Sequence, residues 1–286
     1  MNLAAGNYTV YANYTGSDSY NVNDTATATF EVKQAVPTIT IEAVEVTADQ
    51  NATIRVIFDV MATGDVNLTV NGKTYPGVIS HGIAQITVDK LPVGTYDIGL
   101  MYYGDSNYTN RSETLVDGLV VSKVTGYIIN ITALNITVVD STNITVYVPA
   151  DATGIVFITV DGTTYNKTVT GTAVEFNISD LKEGVYAVNA TLVDDQYVNA
   201  SAETFFTVSK IMTEINVTAD AIYVGDVANI TVSVPAGVSE NVTIEVAGKK
   251  YSKHVNATGQ AVFEVEGLVE GVHTISVTYI GDDKYV

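Results

Sequence analysis

Apolar residues fall at every second position over long stretches of this chain. Asn143-Ile144-Thr145-Val146-Tyr147-Val148 and Asn229-Ile230-Thr231-Val232-Ser233-Val234 are the clearest cases. A period of two puts alternate side chains on opposite faces of a strand, so each run predicts a strand with one buried face. Val, Ile, Thr and Tyr dominate these runs, and all favour a pleated surface. No stretch shows the i, i+3, i+4, i+7 spacing of an amphipathic helix. Over residues 34–123 the alternation predicts seven strands, near Thr38–Val46, Ala52–Met61, Val66–Val70, Lys73–Ile79, Ile83–Val88, Thr95–Tyr103 and Thr114–Val121. Asn71-Gly72 and Asp161-Gly162 predict type I′ hairpins, whose two turn positions both need φ > 0. Ala247-Gly248 holds the same place with a residue that fits it less well. Pro149 and Pro235 follow the second strand's run and predict its end, because proline cannot donate to a ladder.

The pattern recurs. Gly6-Asn7-Tyr8, Gly94-Thr95-Tyr96, Gly184-Val185-Tyr186 and Gly271-Val272-His273 are spaced by 88, 90 and 87 residues. A Gly-Asp-x-x-Tyr element follows, clear at Gly104–Tyr108 and Gly281–Tyr285, degenerate at Gly16–Tyr20 and Val193–Tyr197. Lysine closes each repeat at Lys33, Lys123 and Lys210. This period is too long for a helical solenoid unit and fits a whole small domain. The expected division is residues 1–33 as the C-terminal part of a truncated repeat, 34–123 and 124–210 as complete domains, and 211–286 as a domain lacking its last strand. That phase predicts an excerpt from a longer array.

Inward positions recur too: Ile86, Phe176 and Phe263; Leu91, Leu181 and Leu268; Ile98, Val188 and Ile275. Each repeat is expected to bury one aliphatic and aromatic core, which leaves no second apolar set for a cofactor. Seven strands at regular spacing predict a β-sandwich. Tyr8, Tyr96 and Tyr186, two residues after glycine, resemble the tyrosine corner of immunoglobulin-like domains, a structural tyrosine whose phenol bonds back to the chain. The expected fold class is therefore all-β: tandem immunoglobulin-like β-sandwiches of about seven strands, arranged as an elongated array.

Composition narrows the partners. Asp and Glu number 32 against 13 Lys and Arg, a net charge of −19, which repels phosphate backbones and anionic membranes and argues against a nucleic-acid partner. No apolar run reaches the length of a membrane helix, so no membrane span is expected in this segment. Cysteine is absent, which removes disulfides, thiolate metal sites and a cysteine nucleophile.

Asparagine carries a different signal. Asn7, Asn13, Asn23, Asn51, Asn67, Asn107, Asn110, Asn130, Asn135, Asn143, Asn166, Asn177, Asn189, Asn199, Asn216, Asn229, Asn241 and Asn256 all stand in Asn-x-Ser/Thr, 18 of the 21 asparagines. Chance would place about four there. A polar strand face makes such triplets automatically, since i and i+2 share a face. Asparagine is nevertheless a poor strand residue, so its consistent choice favours N-glycosylation and an extracellular, cell-surface or cell-wall location.

The motifs of common catalytic sites are missing. His81, His254 and His273 are too far apart to form a ligand spacing, and no nucleophile elbow, phosphate loop or dinucleotide fingerprint occurs. Asp18, Asp105, Asp194, Asp195, Asp282 and Asp283 fall in equivalent turns. Calcium is the one metal that could use them, but a solvated turn is the expectation, with one or two carboxylates where calcium wants six to eight oxygens. No enzyme activity, catalytic residue, metal or cofactor is expected.

Together, Val-Pro after the second strand, Gly-Lys-x-Tyr at the hairpin, Leu-x-x-Gly-x-Tyr, Gly-Asp-x-x-Tyr and the closing Phe205-Phe206-Thr207-Val208-Ser209-Lys210 resemble the bacterial-type Ig-like repeats of adhesin-like surface proteins, especially those of methanogenic archaea. The resemblance covers essentially the whole chain and departs at Val193-Asp194-Asp195-Gln196-Tyr197, where the glycine is lost. It implies a non-enzymatic cell-surface structural or adhesin shaft. The implied partners are neighbouring repeats of a longer chain and a host or microbial surface protein or glycan. A carbohydrate- or protein-binding module using loop tips is the alternative. Tyr8–Tyr14 and Thr25–Val32 are the strands that the final repeat lacks or leaves unpaired, so head-to-tail self-association through the incomplete terminal repeats is a further expectation.

Overall fold

The computed structural model of the chain describes residues 3–16, 24–238 and 240–286. Among them every regular element is a strand, and no helix is long and apolar enough to cross a membrane. Contacts divide the chain into two compact units, Met1–Gly126 with Asp195–Val198, and Tyr127–Asp194 with Asn199–Val286.

The first unit opens with an antiparallel hairpin of β1 (Gly6–Tyr14) and β2 (Asp24–Val32). A sandwich follows, built from β3 (Ile39–Ala43), β4 (Val46–Thr47), β5 (Ala52–Phe58), β6 (Gly64–Val70), β7 (Lys73–Ile79), β8 (Ile83–Val88), β9 (Gly94–Tyr102) and β10 (Arg111–Ser122). One sheet runs β3-β5-β8 and the other β4-β10-β9-β6-β7. Alternate residues of both sheets meet in one core, in which Ile54, Val56, Leu68, Ile98 and Leu119 are buried. The strand expected near Thr38–Val46 is two strands. β3 pairs antiparallel with β5, then the chain crosses to the other sheet, where β4 pairs parallel with β10. The phase of alternation shifts at the crossing: Ile39, Ile41 and Ala43 pack inward, then Val46 does.

The second unit contains two more sets of strands. β11 (Asn130–Thr132), β13 (Thr142–Tyr147) and β16 (Ala173–Ile178) form one sheet. β12 (Ile136–Thr137), β18 (Ala200–Ser209), β17 (Gly184–Val193), β14 (Ile155–Val160) and β15 (Thr163–Thr168) form, in that order, the other. This repeats the topology of the first sandwich strand for strand. The last set has β19 (Asn216–Ala219), β20 (Ala228–Ser233) and β23 (Gln260–Val265) in one sheet, and β22 (Lys249–His254), β21 (Asn241–Val246) and β24 (Ile275–Tyr279), in that order, in the other.

Local chemistry sets the turns. Asn71-Gly72, Asp161-Gly162 and Ala247-Gly248 all have φ between 48° and 74°, as a type I′ hairpin requires. Ala247 therefore adopts a left-handed conformation that its Cβ disfavours. β13 and β20 stop short of Pro149 and Pro235, whose carbonyls accept turn bonds from Ala152 and Val238.

Candidate functional site: the repeated junction

The features shared by all repeats gather where one repeat ends and the next begins. The first is a backbone clip. Ala35, Val124 and Ile211 each form an isolated parallel bridge with the tyrosine of the Gly-Asp-x-x-Tyr element, at Tyr108, Tyr197 and Tyr285. Two hydrogen bonds make each clip. Ala35 N donates to Asn107 O at 2.9 Å and accepts at its carbonyl from Thr109 N at 3.0 Å. Val124 does the same with Gln196 and Val198 at 2.8 and 3.1 Å, and Ile211 with Lys284 and Val286 at 2.8 and 3.0 Å. The opening residue of each repeat is thus fixed by a loop more than seventy residues further on.

An aspartate shapes each of these loops. Asp105 Oδ1 accepts from the N–H of Asn107 and Tyr108 at 2.7 and 2.8 Å, and its Oδ2 accepts from Thr63 N and Oγ1 at 2.8 and 3.0 Å. Asp282 Oδ1 accepts from Lys284 N and Tyr285 N, both at 2.7 Å. Asp194 Oδ2 accepts from Thr153 N and Gly154 N at 2.8 and 2.7 Å. The expectation of a solvated turn fails at Asp194, which is only 3% exposed: its buried carboxylate accepts from two backbone N–H groups of the facing loop. Desolvation pushes the Asp105 carboxyl up, but the N–H donors of Asn107, Thr63 and Tyr108 outweigh it and hold the group below its usual range. Asp195 and Asp283 are exposed; Asp18 lies outside the described residues. No group of three or more His, Cys, Asp or Glu among the described residues is placed to hold a metal ion.

Phenols stand beside these carboxylates. Tyr102 is buried, donates to Thr63 O at 3.0 Å, and is pushed up to about 12 by desolvation and by Asp105. Tyr279 is raised by desolvation and Asp282. The second repeat has Leu192 at the Tyr102 position, and Tyr127, raised by burial and by Asp194, arrives from a different segment.

The third feature is the corner. Tyr8, Tyr96 and Tyr186 donate their phenols to the carbonyls of Ala4, Pro92 and Lys182 at 2.7, 2.6 and 3.0 Å. All are structural, as expected. His273 keeps the bond, its Nε2 lying 2.8 Å from Val269 O, so a ring N–H replaces the phenol. Within the first unit the residue before the corner glycine reaches the clip loop. Ala5 N donates to Asn107 Oδ1 at 3.1 Å, and Val93 N donates to Gln196 Oε1 at 3.1 Å. Glu183 holds this position in the second unit, and its carboxylate lies 3.7 Å from Lys210 Nζ. Sequence reasoning missed the clips and these amide acceptors. For the acceptors the available signal was the Asn or Gln immediately before the clip tyrosine, at Asn107 and Gln196.

The sequon asparagines are spread over the surface. Asn23 lies outside the described residues, Asn67 and Asn107 are half-buried, and the other fifteen are exposed. Asn67 Nδ2 donates to Tyr103 Oη at 2.7 Å, and Asn177 Nδ2 to Asn143 Oδ1 at 2.8 Å. The histidines stay apart: His81 Nδ1 is 3.1 Å from Ser80 Oγ, and His254 Nδ1 is 3.3 Å from Asn241 Oδ1.

No family model matches the chain, and no curated protein matches it. Among solved structures it is similar to a tetra-tandem repeat from the extending region of a large adhesion protein. That match has 16% identity over 96% of this chain and 78% of that one, with a TM-score of 0.36. It is also similar to a calcium-stabilised adhesin that helps an Antarctic bacterium reach out and bind ice, with 14% identity over 94% and 80% and a TM-score of 0.30. The fibronectin(III)-like modules of CbhA from Clostridium thermocellum match at 14% identity over 60% and 94%, with a TM-score of 0.26. Scores this low argue for nothing beyond the likeness itself. Strand order, register and corner are the chain's own evidence, and they make it a tandem of immunoglobulin-like β-sandwiches.

Proposed function

We propose that the chain is a non-enzymatic shaft segment of a cell-surface protein, with repeats at 1–33, 34–123, 124–210 and 211–286, N-glycosylated outside the cell. The observation that carries this reading is the recurrence of one junction. Three clips with the same backbone bonds, and two corner-to-amide bonds at equivalent positions, are what a load-bearing repeat needs and what a single active site does not. The edges support it as well. The edge strands β7, β15 and β22 are each blunted differently, by Pro76, by the sequon Asn166 and by Lys249, Lys250 and Lys253. A glycan on Asn166 would cover that edge. The motif resemblance to surface repeats of methanogenic archaea points the same way. The partners on this reading are neighbouring repeats and a surface protein or glycan.

Three measurements test it. Small-angle scattering of the chain gives an extended particle; a compact one overturns the shaft. Single-molecule pulling gives unfolding steps of about 25–30 nm, the reach of one repeat's residues less its folded length. Intact mass of native material tests the glycans, and an unmodified mass removes that part of the reading.

A further inference from the structure

The outer face of the five-stranded sheet in the second repeat sets phenyl rings beside sequons. Val156 and Ile158 point into the core, so Phe157 points outward. The register pairs Phe157 with Asn166 of the edge strand β15, directly opposite on that face. Asn189 of β17 has Thr159 and Glu203 as direct partners, which sets it diagonal to Phe157 on one side and to Phe205 on the other. Phe157 is half-buried and Phe205 is 60% exposed. The other repeats give the contrast. The register places Thr243 opposite Ser252 in the third, joined Oγ1 to Oγ at 3.2 Å, and Asn67 opposite Pro76 in the first. Of the three, only the second has phenylalanine here, and only the second has a sequon asparagine facing it from the edge strand. The amides also differ. Asn67 Nδ2 donates to Tyr103 and Asn177 Nδ2 to Asn143, whereas Asn166 and Asn189 make no side-chain hydrogen bond among the described residues.

We infer that Phe157 is the platform for the sugar carried by Asn166: the attached ring turns in over β14 and lays one face on the phenyl group. This rests on the glycosylation reading and adds to it where the first sugar sits. One face of a pyranose ring is lined with C–H groups, apolar and weakly positive. The face of a phenyl ring is negative, so the two attract and exclude water between them. The reach fits, because directly opposite residues on neighbouring strands have Cβ atoms about 4.5–5.5 Å apart, roughly the width of one sugar ring. Phe205 offers the same kind of surface to a sugar on Asn189. The occupant is the sugar and not another protein, because sugars on Asn166 and Asn189 would stand between these rings and any protein surface approaching the face. Sugars beyond the first remain free to overlie the β15 edge. The effect is to fasten the edge strand β15 to β14 from outside the sandwich.

Hydrogen exchange of the native chain, with its variants made in the same source, tests the platform at the β15 amides that bond to β14. Asn166→Gln should speed their exchange about fivefold or more. In a Phe157→Thr background the same substitution should change little. Thr243 fills the equivalent place in the third repeat, so Phe157→Thr keeps the sandwich folded. In the chain made without glycosylation the two substitutions should act additively. Proton NMR of the native chain gives a direct signature: sugar C–H resonances shifted upfield by the phenyl ring, and restored by Phe157→Thr. A modified Asn166 whose loss costs the same with or without Phe157, or whose sugar protons are unshifted, overturns the platform and leaves glycosylation standing. So does native material modified at other sequons but not at Asn166. Coupling that persists in the unglycosylated chain overturns it too, because the two side chains alone then account for it. Native material unmodified at every sequon overturns the platform and the glycosylation reading together.

Discussion

The turn after β9 and the turn after β17 deliver the same clip tyrosine with different residues. After β9 the chain turns at Gly104, with φ at 83°, where a Cβ would sit 2.9 Å from Asn110 N and Tyr108 O. The second repeat has one residue fewer here. Val193 stays extended at the end of β17, and Asp194 follows at once. The close approach has not vanished; it has crossed to the facing loop. A Cβ on Gly154 would lie 2.0 Å from Val193 O and 2.8 Å from Asp194 Cα, while the equivalent Gly64 has its nearest neighbour, Gly104 O, at 3.4 Å. The phenol moves too, from Tyr102 to Tyr127. What the repeats hold constant is the aspartate and the clip, and the glycine and tyrosine shift around them.

The largest effect should therefore come from Gly154→Ala. The clash is with the backbone of both Val193 and Asp194, and β14 or the Asp194 turn must move, at a cost of about 4 kcal/mol or more. Gly64→Ala meets only the strain of its φ of 100°, about 1–2 kcal/mol. Hydrogen exchange of β14 and β6 amides in the full chain reads the two separately. Equal costs would show that the approach has not crossed over.

Asp194→Ala ranks next. It leaves the Thr153 and Gly154 N–H groups without their acceptor at a part-buried site, a loss of about 3 kcal/mol. Asp105→Ala, in a half-exposed turn that water can enter, should cost about 2 kcal/mol. Thermal melts of the two variants, compared at neutral pH, check the order. Acid gives an independent reading of Asp105. Its pKa is lower folded than unfolded, so its contribution is present above the unfolded value, at about pH 4, and is lost as pH falls through the folded value. The Asp105→Ala variant should lose stability less steeply than the parent below that point. A parallel pair of acid melting curves would sink this assignment.

Most of the sandwich was legible in the chain, and the junction was not, for physical reasons. Alternation, turn residues and the corner are written in side chains, and the structure places Ile86, Phe176 and Phe263 inward as read. The split of the first strand was not read, although its signal, the phase slip from Ala43 to Val46 that one continuous strand cannot accommodate, stands in the sequence. The clips left no such trace. Ala35, Val124 and Ile211 take part through main-chain atoms, which any residue but proline supplies in full, so their identities differ freely. The buried role of Asp194 was hidden because the same Asp-rich turn reads as solvated unless the facing Gly154 is known to lie against it.

The smallest effect extends the comparison to the third repeat's hairpin. Asn71 and Asp161 take φ of 48° and 49° with side chains that tolerate the left-handed region, while Ala247 takes 50° without that help. Ala247→Asn should stabilise the last repeat by about 1 kcal/mol, and Asn71→Ala should cost the first about as much. Ala247 is exposed and lies between β21 and β22, so neither the core nor the clip at Tyr285 is disturbed. Hydrogen exchange at β21 amides should slow in the Asn variant, while those of β6 and β14 stay unchanged. Exchange that does not slow would mean that the turn strain is already relieved elsewhere in β21–β22. The three hairpins would then be equivalent in energy as well as in shape.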